Sequence, residues 1–267
     1  MRFWRSTTIS RPSTVADEER TEGATGRMRA FAGNTVDDYR DHVMKEFPLP
    51  SRMFMGFVAG LLWGATKLLW PWKIEDAEKL FEQREGCMII GNHVSMLEPV
   101  VLIVHAWFKG VSIRPIYKSE FDMNAPATWF FSRVGGIPVK RGTADMKAVR
   151  RARAAMQRGE CVLVYPEGTR IKTDDPAPIH SGFALMAQLA KAPVVPMAVV
   201  GARDITPAGK HFPRFFVRCF LKVGDAIRFS DLGVEKKKEQ LQAMEDRAMA
   251  AVWRLRDELR AEHPGKM

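Results

Sequence analysis

Cysteine is scarce: Cys87, Cys161 and Cys219 are the only three in 267 residues. Thiols so few and so scattered do not make a disulfide framework, and without a Cys-x-x-Cys pair a cysteine-based zinc site is disfavoured. Cys87 and Cys161 begin apolar runs and read as buried strand residues, which fits a reducing compartment. A Gly-x-Ser-x-Gly elbow is missing, which argues against a serine hydrolase. No P-loop, dinucleotide-binding glycine fingerprint or zinc-finger spacing is present, so neither a nucleotide-binding site nor a nucleic-acid module has motif support. No apolar core follows the first arginines, so no secretory signal is read there. Acid is the minority charge: 41 Lys plus Arg against 31 Asp plus Glu leave a net +10.

Apolar residues are plentiful, at 46%, so the chain buries a sizeable core and is not globally disordered. The positive surplus is uneven. Residues 1–50 hold eight basic and eight acidic residues, whereas 113–158 hold ten against three. Such a local field favours anionic ligands or an anionic surface. Residues 1–16 carry Arg2, Arg5 and Arg11, six Ser or Thr and no acid, a composition shared with organellar transit peptides. A polar, largely disordered N-terminal segment over 1–50 is the preferred reading, with a short helix near Asp37–Met44.

Residues 53–72 read MFMGFVAGLLWGATKLLWPW, with Lys67 as the only charge and Arg52 and Lys73 flanking. Trp63, Lys67, Trp70 and Trp72 are residue types that sit at a headgroup boundary. Lys67 and Pro71 shorten the fully apolar stretch to about fourteen residues, Met53–Thr66, which suits a shallow or in-plane anchor better than a span. The expected organisation is therefore 1–50, a membrane-associating segment over 51–73, and a catalytic domain over 74–267. In that domain, strand-like runs at 87–91, 113–117, 137–139, 161–165, 194–200 and 215–223 alternate with helix-like stretches, which argues an α/β domain with a central sheet. A last amphipathic helix over 235–261 puts Leu241, Met244, Ala248, Val252, Leu255 and Leu259 on one face.

Four short blocks carry chemistry. The first is Gly91-Asn92-His93-Val94-Ser95-Met96-Leu97-Glu98-Pro99, after one strand and opening a helix. On a regular helix His93 and Glu98 would point roughly 140° apart, so they meet only if His93 lies in the turn before the helix. There Glu98 would fix one ring nitrogen and leave the other to accept a proton from a hydroxyl. The second block is Gly135-Gly136-Ile137-Pro138-Val139-Lys140-Arg141-Gly142, two glycines before a short strand and a basic pair after it. The third is Val164-Tyr165-Pro166-Glu167-Gly168-Thr169-Arg170, where Gly168 lets a ligand approach the backbone and Arg170 offers a planar fork to an anion. Glu167, awkward beside an anion, orients Arg170 or a backbone group. The fourth is Pro193-Val194-Val195-Pro196-Met197-Ala198, whose apolar face is a candidate alkyl groove or a core strand.

In this order and at these spacings, the blocks resemble those of the glycerolipid acyltransferases, the 1-acyl-glycerol-3-phosphate and lysophospholipid acyltransferase superfamily. The match covers roughly 87–201. The resemblance implies an α/β domain with a central mixed sheet flanked by helices, preceded by an apolar membrane-associating helical segment. It implies His93 as catalytic base with Glu98, and Lys140, Arg141 and Arg170 on the acceptor's phosphate. Asn92, Gly136, Ile137, Glu167, Gly168 and Thr169 support the motifs, and Val195 and Pro196 line an acyl-chain groove. Glu98 stands where the family usually has Asp, so the turn must relax around one extra methylene. His180-Ser181-Gly182 falls where relatives often have Lys or Arg two before the glycine.

The implied reaction is transfer of a fatty acyl group from acyl-CoA or an acyl carrier protein to the free hydroxyl of a lysophospholipid, first of all 1-acyl-glycerol-3-phosphate. It needs no metal and no cofactor beyond the acyl donor as co-substrate. Another lysophospholipid or glycerol 3-phosphate is the alternative acceptor, and a catalytically inactive basic membrane-binding module is the non-enzyme alternative. The expected partners are the acceptor, the donor and a membrane surface, with no nucleic acid. The expected place is the cytoplasmic face of a membrane, with organellar targeting by 1–16 as the less favoured variant.

Overall fold

In a computed structural model, the described residues are 33, 35–81, 85–143, 145–171, 178–207 and 212–266. The expectations for residues 1–16, and for a disordered segment as far as residue 32, lie outside them. Residues 33–267 form one compact unit. Its helices are α1 (Val36–Asp41), α2 (Leu49–Leu69), α3 (Glu78–Phe81), α4 (Leu97–Phe108), α5 (Ala125–Arg133), α6 (Met146–Gln157), α7 (Gly182–Ala190) and α8 (Lys237–Glu262). Its strands are β1 (Trp72–Glu75), β2 (Met88–Gly91), β3 (Ile113–Lys118), β4 (Ile137–Val139), β5 (Cys161–Val164), β6 (Val194–Val200) and β7 (Cys219–Val223).

The seven strands form one sheet in the order β1-β7-β6-β2-β5-β3-β4. All pairs are parallel except β6–β7, so the sheet is mixed. Strands that read as unbroken apolar runs are those covered on both faces. Met88 and Ile90 of β2, Val162 of β5 and Val194 of β6 meet α6, α7 and α8 on one side. Ile89, Leu163, Val195 and Met197 meet Leu80 of α3 and Leu102 and Ala106 of α4 on the other. Alternation within each strand thus feeds two helical layers. The expected C-terminal face is the one used: Met244, Ala248, Val252, Leu255 and Leu259 are buried, and Leu241 packs against the core. Cys87, just before β2, and Cys161, the first residue of the adjacent β5, are free and buried, with sulfurs 3.3 Å apart.

Two expected boundaries move. The chain is already folded before residue 50: Thr35 and Asp38 make a capping box on α1, and Arg40 and His42 are buried. A clasp holds this segment down. Arg114, on β3, pairs its Nε with Glu160 at 2.9 Å, donates to the carbonyl of Arg40 at 2.6 Å, and donates to the carbonyl of His42. Burial pulls the Arg114 guanidinium below its ordinary value, against the raising effect of Glu160. Arg40 in turn donates to Tyr117 Oη at 2.6 Å and to Asp122 at 2.8 Å.

The apolar segment is also shorter than expected at its C-terminal end. Helix α2 stops at Leu69, two residues before Pro71, as the bias of a pre-proline residue against helix requires. Trp72 is not at a surface: it begins the edge strand β1, is buried, and donates from its ring to Thr66 Oγ1 at 3.0 Å. Lys67 turns back as well, donating to the Trp72 carbonyl at 2.7 Å and lying over the Trp72 ring. Burial lowers its pKa. No described helix is long and apolar enough to cross a membrane. Instead, α2 packs one side on α4 and exposes Met53, Phe54, Phe57, Leu61 and Leu68 on the other.

Candidate active site

β2 ends at Gly91 and α4 begins at Leu97, so His93 lies in the turn that the spacing demanded. His93 Nδ1 is 2.6 Å from Glu98 Oε1. The same carboxylate oxygen accepts the backbone N–H of Val94 at 2.9 Å and of Ser95 at 3.0 Å. Glu98 is buried in the first turn of α4, and its extra methylene is absorbed by folding the side chain back over this turn. It therefore organises the loop and orients the imidazole with one atom. Asn92 fixes the other end of the turn: its side-chain amide donates to the Val199 carbonyl at 3.0 Å and its oxygen accepts from the Val199 N–H at 2.9 Å.

The third block holds the first. Glu167 Oε2 accepts the backbone N–H of His93 at 2.7 Å, and Ile171 N–H donates to the His93 carbonyl at 2.7 Å. Of the two roles expected for Glu167, the backbone one is the one in place. Burial raises its pKa and the nearby Glu98 adds to this, while the His93 N–H and ring act the other way. Tyr165 lies flat on the His93 ring, centroids 4.3 Å apart and planes 15° apart, and its buried hydroxyl has no hydrogen-bond partner. Burial, then Glu98 and Glu167, push that phenol well above its ordinary range.

A cavity of about 1010 Å³ opens at this turn. Its polar end carries His93, Lys140, Arg141, Thr169, Arg170 and His180. Its apolar wall comes from Met55, Val58 and Leu62 of α2, from Val100, Ile103 and Trp107 of α4, and from Ile113 and Ile116 of β3. Gly168 takes φ +67°, and a Cβ there would stand 3.0 Å from the His180 ring and 3.6 Å from the Arg141 guanidinium carbon. The glycine thus leaves room for the His180 ring and the Arg141 guanidinium where a side chain of its own would intrude. Gly168→Ala is expected to cost about 1–2 kcal/mol of stability in urea unfolding. An unchanged midpoint would show that this turn relaxes to negative φ. Among the described residues, neither Arg141 nor Arg170 has an ion-pair partner. Lys140 is exposed at the rim, its backbone N–H donating to Asp145 at 2.9 Å.

Some expected site residues are elsewhere. Val195 and Pro196 are buried in β6, away from the cavity. Val195 packs in the core, and Pro196 lies against Gly224. The expectation that they line a groove is therefore corrected: a central strand covered on both faces has no side left for one, and the cavity wall comes from α2, α4 and β3. Ile137 is fully buried, and a Cβ on Gly136 would meet the Tyr117 ring at 2.8 Å, so both position β4 rather than touch a ligand. One residue escaped the sequence reading: Tyr165, whose signal was its place just before Pro166-Glu167. His180, singled out in the sequence by the glycine two residues later, lines the cavity.

Comparison with known proteins adds an independent finding. Residues 73–200 match the family model described as Acyltransferase. The chain is 28% identical over 164 residues to the chloroplastic 1-acyl-sn-glycerol-3-phosphate acyltransferase BAT2 of Brassica napus, a match covering 60% of this chain and 46% of the relative. It is 27% identical over 167 residues to the 1-acyl-sn-glycerol-3-phosphate acyltransferase of Bacillus subtilis (strain 168), covering 60% of this chain and 75% of that one. The chain thus spans about half the length of its chloroplastic relatives. In fold it is similar to the crystal structure of PlsC, the 1-acyl-sn-glycerophosphate acyltransferase of Thermotoga maritima, with a TM-score of 0.51, 19% identity and 85% of each chain covered.

Proposed function

We propose, from the match of residues 73–200 to the family model described as Acyltransferase, that the protein transfers a fatty acyl group from an acyl thioester to the free hydroxyl of 1-acyl-glycerol-3-phosphate. The observation that carries the reading is the 2.6 Å His93–Glu98 contact at the mouth of an apolar cavity rimmed by Arg141 and Arg170. With Nδ1 engaged by Glu98, Nε2 faces the acceptor and takes the proton of its hydroxyl. The oxygen attacks the thioester carbonyl, a tetrahedral oxyanion forms and collapses, and the thiol leaves carrying the proton that His93 returns. Glu98 stabilises the imidazolium between those two transfers. Arg141 and Arg170, with Lys140 behind them, hold the acceptor's phosphate, and the apolar cavity takes the acyl chain. The donor is acyl-CoA or an acyl carrier protein. The exposed face of α2 rests in the plane of a membrane surface, which brings the cavity to an insoluble acceptor.

The test is direct. Purified protein given lysophosphatidic acid and labelled acyl-CoA is expected to form phosphatidic acid, and a panel of other lysophospholipids and glycerol 3-phosphate ranks below it. No product with any acceptor, from acyl-CoA or from acyl carrier protein, would leave the inactive membrane-binding module standing. Arg141→Met is expected to raise KM for the phosphate-bearing acceptor about 10–100-fold at near-constant kcat, the loss of one charge-assisted contact. An unchanged KM would remove Arg141 from the phosphate site. Tyr165→Leu is expected to lower kcat about tenfold, because the imidazole loses the face that holds it in line, whereas Tyr165→Phe keeps the rate. Equal losses in both variants would assign the role to the hydroxyl instead.

A further inference from the structure

Beside the far end of α2 stands an element that the acyl-transfer reading does not use. Residues 212–216 read Phe-Pro-Arg-Phe-Phe, and Phe212, Phe215 and Phe216 are 85%, 54% and 71% exposed. Three adjacent phenyl rings in water are unexpected on a soluble surface. Phe216 also adopts φ +61°, a left-handed conformation that a bulky residue rarely takes, and so the strained backbone holds an apolar ring out into solvent. The loop is not loose: Phe216 N–H donates to the Leu69 carbonyl at 2.5 Å, Trp70 Nε1 donates to the Arg214 carbonyl at 2.7 Å, and Trp70 and Phe215 pack with ring centroids 5.7 Å apart. Arg214 and Arg218, both exposed, flank Phe215 and Phe216, with Phe212 two residues before Arg214.

We propose that residues 212–218 are a second membrane-insertion element, which enters the headgroup region of an anionic phospholipid bilayer alongside α2. The choice of a bilayer rests on the lipid-acceptor reading above. Three features support it. Phenyl rings interspersed with arginines are the composition of an interfacial anchor, with apolar area to bury and cations for lipid phosphates. The loop is continuous with the exposed apolar face of α2, which begins near Phe54, itself packed on Trp129 at 5.6 Å, and ends at the loop. Finally, Pro213 and Trp70 line a second cavity, of about 270 Å³, together with Val94–Leu97 of the catalytic turn and with Arg170. Through Pro213 the loop thus shares a cavity wall with the turn that carries His93, and insertion of its rings sets the active site at the lipid surface in one orientation.

The test uses the full chain and vesicles of phosphatidylcholine with about one-third phosphatidylglycerol. The three native cysteines are buried, so single exposed cysteines can carry an environment-sensitive fluorophore at Phe216→Cys, at Leu61→Cys on α2, and at Lys238→Cys as a remote control. Labels at 216 and 61 are expected to shift to the blue on vesicle addition, with the control unchanged. The variant F212S/F215S/F216S is expected to bind about tenfold or more weaker, with wild-type thermal unfolding. A shift at 61 with none at 216, or wild-type binding by the triple variant, overturns this proposal and leaves the α2 contact intact. No shift at either position overturns both. Acyl transfer to a lysolipid below its aggregation concentration is read separately, so failure of the chemistry is not mistaken for failure of the anchor.

Discussion

His93→Ala is expected to lower acyl transfer by about 10³-fold, within the range by which a positioned general base accelerates a reaction. The His93 ring stands at the cavity mouth with Nδ1 held by the buried Glu98 carboxylate, which leaves Nε2 for the acceptor. Glu98→Gln is expected to fall nearly as far. The amide oxygen can still accept from Val94 and Ser95, so the turn survives, but the charge that stabilises the imidazolium is gone. The double variant should then be little worse than His93→Ala alone, because the two side chains act as one unit. Single-turnover rates on matched, folded preparations check this, with circular dichroism to show that the turn is intact. A His93→Ala enzyme within tenfold of the wild-type rate would sink the mechanism, whatever the binding data say.

What the sequence made legible is what depends on local spacing. Six of the seven strands follow from apolar runs, since a strand covered on both faces has nowhere to place a polar residue. The turn at His93 was legible because a spacing of five from His93 to Glu98 would set the two about 140° apart on a continuous helix. The strand that escaped, β1, shows the limit. Trp72 was grouped with Trp63 and Trp70 as an interfacial anchor, yet only its pairing with Cys219, far along the chain, makes it a buried strand residue. Val195 and Pro196 failed for the same reason in reverse. Their apolar character is real, but whether such a strand lines a groove or fills a core is decided by which helices cover it. The cavity was illegible because its wall is assembled from α2, α4 and β3, three elements that meet only in the fold. His180 and Arg141 both lie close over Gly168, in space that a side chain at that position would fill.

The other large effect is on stability, at a residue outside the chemistry. Arg114→Met is expected to destabilise the fold by about 3–5 kcal/mol, the range for breaking one side of a buried ion pair. Arg114 is almost wholly buried, and three partners depend on it: Glu160 and the carbonyls of Arg40 and His42. Glu160 keeps Arg158 at 3.1 Å and Ser112 at 3.0 Å, so its charge is only partly stranded. The two carbonyls lose a donor outright, and each orphaned buried acceptor adds a cost of about 1–3 kcal/mol. Adding Glu160→Gln to Arg114→Met removes the stranded charge and is expected to restore part of the loss, leaving the share due to the clasp. For a domain of this size the single variant should melt about 10 °C lower. The damage reaches the cavity, because Met44, Lys45, Leu49 and Arg52, which follow the clasped segment, line it. Hydrogen exchange over 36–47 should therefore rise before global unfolding, and KM for the acyl donor should rise with it. Unfolding within about 1 kcal/mol of wild type, with protection over 36–47 unchanged, would mean that packing of Tyr39 on Phe47 holds the segment without the guanidinium.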